Sequence, residues 1–107
     1  MTRSPCEEID GVDLRQLTPF TTLLVQTRNS LYRIVVADGC RVYVQGGVSF
    51  PDLTPANVDG ASMGRGALKI GWIAIGLAME IQAGGRRVVT SPVHAITTGR
   101  STVAVAH

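Results

Sequence analysis

The chain has 107 residues, of which 45% are hydrophobic and 17% charged, and nine arginines and one lysine against eight acids leave a net charge of +2. That length fits one domain with a core large enough to need no staples, and the weak basic bias argues against an extended nucleic-acid binder. A charged share below the roughly 25% of ordinary soluble domains favours covering part of the outside with a partner.

Residues 1–20 are polar and acidic, with Glu7, Glu8 and Asp10 and two prolines. Loose structure is expected here, with Val12, Leu14 and Leu17 docking a short turn on the core. The segment lacks the apolar run of a signal peptide, and the longest apolar stretch, 70–79, is too short to cross a bilayer. Cys6 and Cys40 have no CxxC spacing and read as reduced thiols. A cytoplasmic protein with no membrane partner is the expectation.

The β domain is expected over residues 21–97. A first strand should run near Thr21 to Thr27, with Leu23 and Val25 on one face. Arg28-Asn29-Ser30 is turn-prone. Tyr32, Ile34 and Val36 then alternate with Leu31, Arg33 and Val35. A three-residue loop at Ala37-Asp38-Gly39 gives Gly39 a left-handed conformation. It sets Ile34 opposite Val42 and Tyr32 opposite Val44. Arg33 and Arg41 become diagonal neighbours on the outer side.

Residues 46–67 hold Pro51, Pro55 and several glycines, and their alternation fails. A loop is expected, pinned by Phe50 and Leu53. Leu68 and Ile70 begin a new strand whose apolar phase changes at Gly71-Trp72, the mark of a bulge or bend. Ile73, Ile75, Leu77, Met79 and Ile81 then share one face of a predicted strand from Ile73 to Gln82. Helix is the rival, but Gly71 and Gly76 weaken it and the period is two. The opposite face, Ala74, Gly76 and Ala78, is almost bare. With Trp72 beside it, it is a candidate oligomer interface. Ala83-Gly84-Gly85 is a turn, Arg86 to Thr90 returns as a strand, Pro92 interrupts it, and Val93 to Thr97 resumes. Residues 98–107 form a small-residue tail.

Chemistry is harder to find. His94 has only His107 as an imidazole companion, short of the three or four ligands of a metal site. Ser30 and Ser91 lack a nucleophile-elbow setting. Asp38, Asp52 and Asp59 read as turn and loop acids. Gly64-Arg65-Gly66 with Lys69 lacks the ending of a phosphate-binding loop. Arg33, Arg41, Arg86 and Arg87 are the candidate contacts for an anion, and Trp72 could floor a ligand pocket. No catalytic residue, metal or cofactor is called for, and no small-molecule ligand is specified.

Val25-Gln26-Thr27-Arg28-Asn29-Ser30 leads into a run ending at Ile34, and Val89-Thr90-Ser91-Pro92-Val93 leads to Ile96. This strand, kink, strand pattern over residues 21–97 resembles the small all-β family of the tryptophan RNA-binding attenuation protein. It equally resembles small bacterial proteins of unknown function. The first resemblance implies an antiparallel β sandwich that assembles into rings. That family's repeated basic residues do not match positions here, so no functional residue carries over.

The sequence therefore predicts an all-β domain, a small antiparallel sandwich or barrel with short irregular termini. The expected function is a non-catalytic assembly or binding module working as a homo-oligomer. An RNA- or anion-binding module using Arg28, Arg33, Arg41, Arg86 and Arg87 is the second reading. A small enzyme with a subunit-interface site around Trp72 and His94 is the third.

Overall fold

The computed structural model describes residues 6–63 and 67–100, and most of them lie in strands. The strands are β1 (Cys6–Ile9), β2 (Gly11–Asp13), β3 (Thr21–Thr27), β4 (Leu31–Asp38), β5 (Arg41–Gly46) and β6 (Phe50–Ser62). They continue with β7 (Leu68–Ile70), β8 (Trp72–Ala74), β9 (Ala78–Ala83), β10 (Arg86–Val89) and β11 (Val93–Arg100). The one 3₁₀ turn among the described residues, Leu14–Gln16, follows β2. One large sheet runs β1-β11-β3-β4-β5-β6-β9-β10, with β7 also on β6, and β2 pairs with β8 in a second, small sheet. Every pairing between the described strands is antiparallel, and an isolated parallel bridge joins Ile75 to Val93.

Alternation explains the centre of the sheet. Leu23 and Val25, then Tyr32, Ile34 and Val36, then Val42 and Val44 all point to one side and are buried. Phe50, Val58, Ile73, Met79, Ile81, Val93 and Ile96 complete the core with Leu14. The sheet curls around them. The Gly76 amide donates to the Val93 carbonyl at 2.8 Å and the Val93 amide to the Leu77 carbonyl at 2.9 Å, so chain from near both ends of the sheet meets. Yet β1 and β10 remain its ends, and the barrel is not closed.

The β4–β5 hairpin keeps the predicted faces but not the predicted register. Val36 stands opposite Val42 and Ile34 opposite Val44, with Asp38 opposite Arg41 and an irregularity at Ala37. Gly39 does take a positive φ of 59°. The shift is by two residues, which preserves the faces because side chains repeat every two. It separates Arg33, now opposite Gln45, from Arg41. The two lie four strand positions apart, about 13 Å. They are not diagonal neighbours, which corrects the expectation.

The expected loop at 46–67 is mostly strand. β6 tolerates Pro51 and Pro55 because β9 joins it only from Asn57 onward. One edge of residues 50–56 is open, and a proline costs no ladder bond on an open edge. Phe50 is fully buried as expected, while Leu53 is 46% exposed. At Gly60 a Cβ would sit 2.2 Å from the Lys69 carbonyl oxygen, so β7 approaches where only glycine fits.

The predicted strand from Ile73 to Gln82 is broken in two. Gly76 has a φ of 89°, and β8 and β9 lie on either side of it in different sheets. Ala74, Gly76 and Ala78 therefore do not line one strand face. The bend at Gly71 is as predicted, with a φ of 77°. The N-terminal segment is more ordered than expected. β1 pairs with β11 from Cys6–Gly99 to Ile9–Ile96, and β11 itself runs on to Arg100. Leu14 is fully buried and its amide donates to the Gly71 carbonyl at 2.8 Å, while Val12 and Leu17 pack against the core.

Candidate functional site

The outer face of the sheet carries two kinds of surface. Across β3 to β6, Thr22, Val35, Tyr43 and Pro55 stand side by side in one row. Tyr43 is 43% exposed, and Leu24, Leu31 and Leu53 are exposed on the same strands. The result is an uncovered, largely apolar face in which Gln26, Arg33 and Gln45 are interspersed.

Beyond it the face turns polar. Arg41, Asn57, Gln82 and Arg87 form one row across β5, β6, β9 and β10. Asp59 collects this row: its carboxylate accepts from Asn57 Nδ2 at 3.0 Å and from Gln82 Nε2 at 3.1 Å. Arg87 donates to Glu80, a nearly buried carboxylate. That hydrogen bond, with a second from Ser62, holds the Glu80 carboxyl below its ordinary value. Arg86 reaches the Ser49 carbonyl at 3.4 Å and lies 5.8 Å from the Phe50 ring centre. Arg28, in the turn after β3, donates its amide to the Pro92 carbonyl. The sheet does not gather the five arginines into one patch.

Trp72 is half-buried opposite Asp13, and one face of its ring is occupied by the Lys69 ammonium, 3.8 Å from the centroid. The cation–π contact leaves that face unavailable as a pocket floor. Arg15 grips Asp13 beside it through Nε at 2.8 Å and Nη2 at 2.9 Å, which lowers the Asp13 carboxyl and raises the Arg15 guanidinium. Burial pushes the Cys40 thiol up. It is thus held protonated, the less nucleophilic form.

His94 is exposed and lines an open recess of about 390 Å³ with Glu8, Asp10, Ile75 and Ile96. Trp72 is not among the described residues that line this recess. No group of three or more His, Cys, Asp or Glu suited to a metal ion occurs among the described residues. Ser91 Oγ accepts from the Asn29 amide at 3.3 Å, and the Ser30 amide donates to Thr27 Oγ1 at 3.0 Å, which gives both serines turn-bracing roles. Gly64-Arg65-Gly66 and His107 lie outside the described residues. An apolar recess of about 350 Å³ is lined by Ala61, Met63, Leu68 and Leu77, with Lys69 at its rim.

Two features escaped the sequence reading. The Asn57–Asp59–Gln82 network needs β6 to be a strand, and the prolines hid that. The acidic pair Glu7 and Glu8 sits on a sheet edge because β1 exists, and four residues are too few to show a period. No protein-family model, curated protein or solved structure matches this chain. No helix among the described residues is long and apolar enough to cross a membrane.

Proposed function

We propose that the chain is a non-catalytic assembly and binding module that works as a homo-oligomer. The uncovered apolar face of β3 to β6 carries this reading. Leu24, Leu31, Tyr43 and Leu53 are each at least 40% exposed, on a chain with few charges to keep such a surface wet. Several large apolar side chains exposed on one sheet face support a site of association. The partner that must always be present is a second copy. The side chains near the candidate positions support the reading too. Arg87, Asp59, Arg15 and Lys69 are engaged with neighbours in the same copy, as braces of a scaffold are.

Light scattering over a wide concentration range tests it. The mass should exceed the 11.3 kDa of one copy. Replacing Tyr43 and Leu53 by Ser should lower the apparent affinity of the copies while the fold survives. A single-copy mass at every concentration would contradict the reading.

A further inference from the structure

Resting on that homo-oligomeric reading, we infer that copies join head to tail, the β1 edge of one pairing with the β10 edge of the next. These strands are the two ends of the large sheet. Each is hydrogen-bonded on one side only among the described residues, so each offers a row of unpaired amides and carbonyls. Their charges are opposite. β1 presents Glu7 and Glu8, and β10 presents Arg86 and Arg87, all four exposed.

The faces match as well. Glu8 lies opposite Thr97, which lies opposite Leu24 on the outer side. Arg87 lies opposite Gln82 in the outer polar row. Ile9 and Val88 point to the core side, opposite Ile96 and Ile81, and both are half-buried. Seven antiparallel pairings separate β1 from β10, so the two strands run in opposite directions. A second copy placed with its outer face continuing the first therefore lays β1 antiparallel to β10. Setting Glu8 opposite Arg87 puts Glu7 diagonal to Arg86 and Ile9 diagonal to Val88. Diagonal neighbours are about 7–8 Å apart, within reach of long side chains. Acid meets base directly at Glu8–Arg87 on the outer side and diagonally at Glu7–Arg86 on the core side, where Ile9 and Val88 already pack against the core of their own copies.

Like edges are incompatible. β1 on β1 would set glutamates against glutamates, and β10 on β10 arginines against arginines, which destabilises a cross-strand pair. The charges thus disfavour a two-fold dimer through either edge. A heterologous contact repeats, closing into a ring if the rotation allows and otherwise extending as a helical array.

Two edge variants test this. Glu7→Lys with Glu8→Lys blocks β1 and leaves β10 intact. Arg86→Glu blocks β10 and spares the Arg87–Glu80 pair. Each variant alone should fall below the mass of the unaltered protein, with an unchanged circular dichroism spectrum. An equimolar mixture should exceed the mass of either variant alone, because one native junction is restored. If the lysine variant fails to fold, Arg86→Glu on the opposite edge carries the test. Variants that keep the mass of the unaltered protein, or a mixture no heavier than either variant alone, would overturn the edge assignment and leave self-association standing. A single-copy mass for the unaltered protein would instead overturn the homo-oligomeric reading beneath it.

Discussion

Two stretches of this chain look alike as sequence and fold differently. Residues 31–44 alternate and become a hairpin in which each even-numbered apolar side chain of the strands is buried. Residues 73–82 alternate as cleanly, yet Ile75 is 39% exposed and the run splits at Gly76 between two sheets. Alternation shows that each piece can be strand. It does not show that neighbouring pieces belong to the same strand. A glycine with positive φ decides that, because it lets the chain leave one sheet and enter another.

The largest effect should come from the β6 segment, where alternation failed but a strand formed. Phe50→Ala removes a fully buried ring and should cost about 3–5 kcal/mol. Leu53→Ala, three residues on, should cost under about 0.5 kcal/mol. Urea unfolding of both variants separates a strand pinned at one point from a loop pinned at two.

Gly60 in β6 and Gly76 in the second region should respond differently to an added methyl group. Gly60→Ala drives a Cβ into the Lys69 carbonyl and should cost about 2–3 kcal/mol. Gly76→Ala meets no atom within 4 Å, so its cost is the positive φ alone, about 1–2 kcal/mol. Equal losses would mean that β7 does not pack against Gly60 as closely as described.

In the first region the effects are smaller. Gly39→Ala also meets open space and should cost about 1 kcal/mol for its left-handed conformation. Asp38→Ala should stay within about 0.5 kcal/mol. The reverse order, read from thermal melts, would place the turn elsewhere.

Acid provides a subtler comparison of the two regions. Glu80 in β9 is held below its ordinary value of 4.5 by Arg87. A carboxyl lowered in the folded state adds stability that is present above its unfolded value and lost as pH falls through the folded one. Urea midpoints taken above and below 4.5 should therefore drop less in Glu80→Gln than in the parent. Arg33→Gln, in the β4–β5 hairpin, should leave that drop unchanged.

Much of this was legible in the residues. Leu23, Val25, Tyr32, Ile34 and Val36 gave the buried face directly, and Gly84-Gly85 gave the last hairpin. Register was less legible. A two-residue shift conserves every face, so hydrophobicity cannot tell Ile34–Val42 from Ile34–Val44. β6 was hidden because proline reads as a breaker and only the open edge beside it removes the penalty. β1 was hidden by its length. With β1 unseen, the acidic edge was unseen too, and Arg86 and Arg87 read as candidate anion contacts. The arginines nearest in the proposed register, Arg33 and Arg41, proved distant. Arg86 and Arg87 instead stand at the sheet edge, Arg87 paired with Glu80 of its own copy, where the proposed junction would set them beside Glu8 and Glu7 of a second copy.

Amide hydrogen exchange on the unaltered protein tests the central claim most directly. In a lone copy the outward amides of β1 and β10 are exposed and should exchange quickly. If copies join through these edges, protection within 6–9 and 86–89 should rise together as concentration rises, while β4 and β5 stay unchanged. Oligomers that form with both edges still exchanging at the single-copy rate would contradict the account.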